Sequence, residues 1–385
     1  MTARRDAVGI LSLVHPDFLA PLYAIAELLA DAGCEVDIFS AASIAPGHAP
    51  LPENVCIHEC GVPSGRLAAR LSTRRGLRRS VNAWTSQRSP RALIACCPFS
   101  YLEALRAARG RIPVVYWVFE LYETAWRGFP RSPLTILRNR RALRRMGQCD
   151  LVCAPTAERA GWLLRAGALD RLPAVVLNCP LPRAEQGSFD AWPEWLPSRF
   201  REGPIVLNTG NIGPTHCVPD LIATLPEWPA ESRLVITNVG DSPHGRVLRE
   251  LAERSPRRED ILLLPTIPRA DMLLLQRLSQ VGVCLMRRTE SLETIMPAPN
   301  KVAEYVHAGL VVLAFANSIT SRLEGEGVAV IIEEREQPPI AEGVRRALRL
   351  ACDGDARSRA KQVAGDWYNM RKQGAPILHA VLGSA

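Results

Sequence analysis

Lysine is nearly missing from this chain: Lys301, Lys361 and Lys372 are the only three among 47 basic residues, and the rest are arginine. Its cationic chemistry is therefore almost all guanidinium, whose planar fork suits carboxylates and phosphates. Long apolar runs are also missing. Stretches such as residues 10–14 and 311–316 fall far short of the roughly 20 residues of a membrane span. The start, Met1-Thr-Ala-Arg-Arg-Asp, leads into a brief apolar stretch ending at His15-Pro16-Asp17 with no small-residue cleavage site, so a cytoplasmic location is expected. The 11 cysteines form no CxxC pair, and His and Cys do not cluster at ligand spacing. That argues against a disulfide scaffold and a metal site and for buried thiols. A Walker A sequence is absent, Gly210-Asn-Ile-Gly213 lacks the third glycine of a dinucleotide fingerprint, and the first loop has no glycine. A nicotinamide dehydrogenase is thereby excluded, and no aromatic stacking or zinc-finger pattern supports a nucleic-acid partner.

What is present is a balanced composition, 47% apolar and 22% charged over 385 residues, which predicts two domains. The charge is lopsided. Residues 1–180 hold 23 Lys/Arg against 14 Asp/Glu, while the remainder is close to neutral. The excess concentrates in Arg66, Arg70, Arg74, Arg75, Arg78, Arg79, Arg88 and Arg91, and again in Arg131, Arg138, Arg140, Arg141, Arg144 and Arg145. Such a face suits an anionic lipid surface, nucleic acid or a phosphorylated substrate; the plain alternative is a solvated surface.

The hydrophobic pattern alternates between strand and helix. A buried strand at 7–14, an amphipathic helix at 18–32 closed by Gly33, and a second strand at 35–39 form a βαβ unit, which implies a parallel sheet. Further strands are expected at 92–97, 113–118, 151–154 and 174–177, with helices at 100–109, 133–145 and 157–166. Proline and tryptophan then crowd residues 178–204 without periodicity, the mark of a linker. A second series follows: strands at 205–209, 233–239, 261–264, 281–286, 311–314 and 328–332, and helices at 218–225, 246–254, 269–278, 301–308 and 340–352. The expected fold class is α/β, two Rossmann-like doubly wound domains facing a central cleft. Their bounds are 1–180 for the first domain, 181–204 for the linker, 205–359 for the second domain and 360–385 for a terminal helical segment.

The most telling stretch is Pro297-Ala-Pro-Asn-Lys-Val-Ala-Glu-Tyr-Val-His-Ala-Gly309. With Gly210-Asn-Ile-Gly-Pro214, Gly240-Asp241, Pro268-x-x-x-Met272, Leu29-Ala-x-Ala-Gly-Cys-Glu-Val36, Phe119-Glu-Leu-Tyr122 and Val176-Leu-Asn-Cys-Pro180, it resembles the retaining GT-B glycosyltransferases of family four, in that family's order. The resemblance implies a nucleotide-diphosphate sugar as donor, bound by the second domain, a glycan, lipid-linked or natural-product acceptor bound by the first, no further cofactor, retention without a metal, and a closing segment, 360–385, that packs back on the first domain with Trp367 near the prolines of 180–197 at a hinge; the arginine-rich face adds the expectation of peripheral contact with the inner face of a membrane.

Independently of the family, proline before Asn300 lets that residue cap a helix whose free N–H groups and dipole suit a diphosphate. Lys301 adds a point charge, and Glu304, three residues on, can accept from a ribose diol; the bland alternative is an i,i+3 ion pair between Lys301 and Glu304. By resemblance Glu304 is the ribose reader. Gly210, Asn211 and Gly213 bring backbone close to the diphosphate. Where the family places basic residues, this chain has Asn211 and His216; Arg287 or Arg288 is the candidate substitute as a phosphate clamp, the bland alternative being that both are exposed loop charges. Where the family places a second glutamate, this chain has Met296, so Glu293 or the amides of 294–296 must contact the sugar. Phe119 replaces the family's histidine, leaving Glu120 as the candidate acceptor contact, with His15 and Asp17 at the mouth of the first strand. The reading is a glycosyltransferase of the hexosyl-transfer class; the alternatives are a GT-B sugar-nucleotide epimerase or an inactive partner subunit.

Overall fold

The computed structural model describes residues 6–13, 19–40, 51–60, 68–121, 133–167, 169–181 and 192–383. The first half runs β1 (Ala7–Ser12), α1 (Ala20–Asp31), β2 (Glu35–Ser40), β3 (Val55–Glu59), α2 (Ala68–Gln87), β4 (Ala92–Ala95), α3 (Pro98–Ala108), β5 (Val114–Trp117), α4 (Pro133–Arg144), β6 (Leu151–Ala154), α5 (Ala157–Ala166) and β7 (Ala174–Val175). The second continues β8 (Ile205–Asn208), α6 (Val218–Thr224), β9 (Arg233–Ile236), α7 (Pro243–Arg254), β10 (Ile261–Leu263), α8 (Arg269–Leu278), β11 (Val281–Cys284), α9 (Leu292–Ile295), α10 (Asn300–Ala308), β12 (Val311–Phe315), α11 (Ser318–Gly325) and β13 (Ala329–Ile332). It closes with α12 (Ile340–Cys352), α13 (Ala356–Asp366), α14 (Met370–Gln373) and α15 (Ala375–Leu382).

Two parallel sheets result, ordered β3-β2-β1-β4-β5-β6-β7 and β10-β9-β8-β11-β12-β13. Both reverse direction beside their first strand, the doubly wound arrangement whose switch point opens at the carboxyl ends of the strands. Strands such as β1, β4 and β8 are buried along their whole length and apolar except for Ser12 and Asn208 at the ends of β1 and β8, as sheets covered on both faces require.

The chain divides into one unit of Met1–Leu181, Ser291–Ala298 and Asn369–Ala385 and another of Pro182–Glu290 and Pro299–Tyr368. The excursion at 291–298 lies within the stretch that the sequence assigns to the second domain. Leu292 and Met296 instead pack on the first unit's core, where Arg159 Nε donates to Met296 O at 2.7 Å and Asn178 Nδ2 to Ala298 O at 3.4 Å.

The tail switches units after Tyr368. Helix α13 packs against α10, whereas Met370 N donates to Pro180 O at 3.0 Å and Arg91 Nε to Val381 O at 2.7 Å. The Trp367 ring stacks on Tyr368, lies under the Arg322 guanidinium, and donates from Nε1 to Glu326 at 2.9 Å. Electrostatics and an indole hydrogen bond hold it on α11 of the second unit.

Much of the arginine excess is structural. The buried Glu103 of α3 accepts Arg78 Nε at 2.8 Å and Arg106 Nη1 at 2.6 Å, Arg88 pairs with Glu35, and Arg91 pairs with Asp6. Arg138 lies over the Phe99 ring. Arg75, Arg79, Arg140, Arg141 and Arg144 remain exposed, beside an exposed Leu137.

Candidate functional site

In the second unit the switch point falls between β8 and β11, and the loops leaving those strands are knitted together. His216 bridges Met286 in antiparallel fashion, Cys217 N donates to Leu285 O at 3.1 Å, and Arg287 N donates to Thr215 O at 2.7 Å. Gly210 turns the first loop with φ +83°, a conformation that favours glycine. Asn211 Oδ1 accepts Gly213 N at 2.8 Å, closing a tight turn that leaves Asn211 exposed.

Helix α10 anchors this loop through two side chains. Tyr305 lies over Gly282 of β11 so closely that a Cβ there would sit 2.3 Å from the ring. Its hydroxyl accepts Thr209 N at 2.9 Å. Lys301 Nζ donates to Thr209 O at 3.0 Å and to Asn208 Oδ1 at 3.2 Å, so the Thr209 residue is held at both its N–H and its C=O. Burial pushes the Lys301 ammonium below its ordinary pKa.

Glu304 does not pair with Lys301. Its Oε1 lies 2.9 Å from Arg269 Nη2 and its Oε2 accepts Gln276 Nε2 at 3.1 Å. Each oxygen keeps acceptor capacity beyond these bonds, as an ionised carboxylate offers about four lone-pair positions. Asn300 is not the helix cap: Pro299 occupies that position without a side-chain bond, and Asn300 is the first helical residue. The proline places helical geometry one residue earlier than the polar side chain suggested.

His216 stands near Lys301, and burial first, then that charge, push its imidazole down to about 4. It is therefore neutral at pH 7 and supplies no positive charge. Arg287 is committed elsewhere: Nη1 donates to Arg335 O at 2.8 Å, and Nη2 to Glu336 O at 3.1 Å and Asp220 Oδ2 at 3.2 Å. Arg288 is more exposed, with Nη2 donating to Ala316 O at 3.2 Å and Glu334 nearby. Both line a cavity of about 720 Å³ with Ala316 and residues 331–335.

Several buried polar atoms around these elements lack a partner among the described residues. They are Asn208 Nδ2 at the end of β8, Thr237 Oγ1 just after β9, Gln276 Oε1 beside Glu304, and Asn300 Oδ1 at the start of α10. Buried polar groups are normally satisfied, so orphans at the ends of β8 and β9 and on α8 and α10 point to a polar ligand or water. The sequence reading missed Asn208, Thr237, Gln276 and Arg269; only their places at the end of a strand or on the helix facing Glu304 could have singled them out.

In the first unit, Glu120 lies exposed three residues past β5. The preceding Phe119 is buried against Trp117, and its carbonyl accepts Arg159 Nη1 at 2.6 Å. His15 and Asp17 lie outside the described residues, as does the side chain of Glu293 in α9. The chain also holds one Asp-x-Asp triplet, Asp353-Gly354-Asp355, in the turn after α12, where Asp353 Oδ2 accepts Arg359 Nη2 at 3.1 Å.

Comparison with known proteins now decides the architecture. The chain is similar to sucrose-phosphate synthase (tll1590) from Thermosynechococcus elongatus, at 15% identity and TM-score 0.69, over 97% of each chain. The fold is GT-B. It is likewise similar to Anabaena Alr3699/HepE in complex with UDP-glucose, at 13% identity and TM-score 0.67, over 98% of this chain and 100% of that one. The third GT-B structure is WaaG, a glycosyltransferase involved in lipopolysaccharide biosynthesis, at 14% identity and TM-score 0.65, over 98% and 100%. Residues 22–181 match the family model Glycosyltransferase Family 4. No curated protein sequence matches the chain.

Proposed function

We propose that this protein is a glycosyltransferase that moves a sugar from a nucleotide-diphosphate donor of the UDP type to an acceptor hydroxyl, with retention. The observation that carries this is the group of unpartnered polar atoms, Asn208 Nδ2, Thr237 Oγ1, Gln276 Oε1 and Asn300 Oδ1, set among Lys301 and Glu304. The similarity of the fold to a protein solved with UDP-glucose supports the choice of donor.

In this reading the diphosphate lies at the start of α10 and along the 210–213 backbone, where N–H donors and the helix dipole stabilise the leaving charge. Glu304, held by Arg269 and Gln276, takes the ribose diol. Arg288 supplies the missing clamp. The anomeric C–O bond to the diphosphate breaks, the new C–O bond forms on the same face, and the acceptor proton passes to a phosphate oxygen of the leaving group. That route routes no step through a metal ion. Glu120 orients the acceptor hydroxyl.

The exposed Arg75, Arg79, Arg140, Arg141 and Arg144 with Leu137 suit peripheral contact with an anionic membrane on its inner face, close to a lipid-linked or envelope-glycan acceptor. Flotation with anionic vesicles at low salt tests this, and no association at low ionic strength would refute it. One second reading has a specific observation behind it: Phe119 and the neutral His216 suit a nucleotide-binding partner subunit without transfer activity. Titration with UDP-, GDP- and dTDP-sugars followed by a donor-hydrolysis assay separates the two. Failure of every nucleotide to bind overturns both.

A further inference from the structure

The edge of the first sheet carries a second constellation unrelated to sugar transfer. Parallel pairing of β2 with β3 sets Asp37 opposite Cys56 and Phe39 opposite His58. Residues two apart on a strand share a face, so Cys56 and His58 flank Asp37 together. Their ligand atoms, a carboxylate oxygen, a thiol sulfur and an imidazole nitrogen, all lie within 4.8 Å of one another. His58 Nε2 is 2.6 Å from Asp37 Oδ1.

The surroundings aim these groups. Trp84 of α2 donates from Nε1 to Asp37 Oδ2 at 2.9 Å, which fixes the buried carboxylate and leaves Oδ1 turned to the cluster. The His58 ring stacks on Phe39 with centroids 4.8 Å apart. Cys56 is exposed, so an ion can reach the site from solvent. One carboxylate, one imidazole and one thiolate, carried on paired strands and steadied by an outer hydrogen bond, make up a donor set typical of zinc.

We propose that Asp37, Cys56 and His58 bind one divalent ion of the zinc class, with water in the fourth position. Binding exchanges the His58–Asp37 hydrogen bond for metal–ligand bonds, the imidazole binding through Nε2 in the neutral tautomer that carries its one proton on Nδ1, and releases the Cys56 thiol proton to solvent. The two negative ligands and the dication then sum to zero charge beside the half-buried imidazole. The ion ties edge strand β3 to β2 and steadies that end of the sheet.

The test uses the full-length chain, freed of metal by chelator and titrated with Co²⁺ and then with Zn²⁺. Equimolar Co²⁺ gives a thiolate-to-cobalt charge-transfer absorption that Zn²⁺ abolishes, and Zn²⁺ raises the melting temperature of the wild type. Cys56→Ser removes the absorption and the thermal shift, and His58→Gln weakens zinc binding at least about tenfold. Cys352→Ser, at another exposed cysteine, changes neither. No charge-transfer band at equimolar Co²⁺, a band that survives Cys56→Ser, or unchanged zinc affinity in His58→Gln overturns the proposal. Each outcome is read from metal binding, so the fate of the sugar-transfer reading does not affect it.

Discussion

Arg269 Nη2 lies 2.9 Å from Glu304 Oε1, and each of the two side chains is only 12% exposed. This pair, reaching from α8 to α10, takes the place of the i,i+3 ion pair between Lys301 and Glu304 that spacing alone allows. The carboxylate is thus fixed before a ligand arrives, while Lys301 holds the backbone of the adjoining loop. Replacing Glu304 by alanine is expected to weaken nucleotide binding by about 1–3 kcal/mol, the range for lost charge-assisted hydrogen bonds. Lys301→Ala should do likewise through the displaced Thr209. Calorimetry with the nucleotide that binds the wild type checks both, and unchanged affinity in both variants would make α10 a purely structural helix.

Tyr305 is the second support of that loop. Tyr305→Phe leaves Thr209 N buried without its acceptor and is expected to cost about 1–3 kcal/mol in stability. Gly282→Ala drives a methyl into the same ring, a contact of 2.3 Å, and is expected to destabilise the fold at least as much. Urea denaturation measures both; a Gly282→Ala protein as stable as the wild type would contradict the packing described.

His216 gives a dependence on pH with a definite sign. Its folded pKa, about 4, is depressed below the ordinary 6.5, so the folded state prefers the neutral ring. The associated stability is fully present above pH 6.5 and is lost as pH falls from 6.5 to about 4. The loss is up to about 3 kcal/mol at roughly 1.4 kcal/mol per pH unit. His216→Gln should flatten denaturation midpoints across that window. A bound diphosphate favours the protonated ring, so nucleotide affinity should rise as the solution is made mildly acid, with proton uptake seen as a buffer-dependent heat of binding.

The tail belongs to two bodies, and its two parts should behave differently. Removing Asn369–Ala385 strips α14 and α15 from the first unit, where Arg91 caps the end of α15 and Arg371 pairs with Asp31 at 3.0 Å. The expected result is loss of stability in the first unit's transition, followed by tryptophan fluorescence from Trp84 and Trp117. A truncated protein that melts as the full chain does would show that these contacts are peripheral.

How much of this was legible in the sequence depends on the kind of signal each residue sends. Helices α8 and α12 have the bounds that periodicity predicts, Arg269–Leu278 and Ile340–Cys352, because their apolar stripes are regular and their ends are marked. Helix α2 went unread although Leu77, Val81 and Trp84 recur at helical spacing and are buried, since arginines crowd the rest of that stretch. Strand β3 is short and half-polar, and its pairing with β2, which brings Cys56 to Asp37, is a matter of register that linear spacing does not encode. At the candidate site, Lys301 and Glu304 stood out by type and position. Their true partners, Asn208, Thr209, Arg269 and Gln276, are brought to them only by the order of strands in the second sheet. The same applies to Arg287, which spacing offered as a clamp and the fold ties to Asp220 and the carbonyls of Arg335 and Glu336.

The most direct test of the account is a calorimetric titration of the full chain with UDP, GDP and dTDP, repeated on Glu304→Ala. The account predicts saturable one-to-one binding of a uridine nucleotide that the variant weakens by about 1–3 kcal/mol. No heat with any nucleotide at millimolar concentration, or binding that Glu304→Ala leaves untouched, would contradict it.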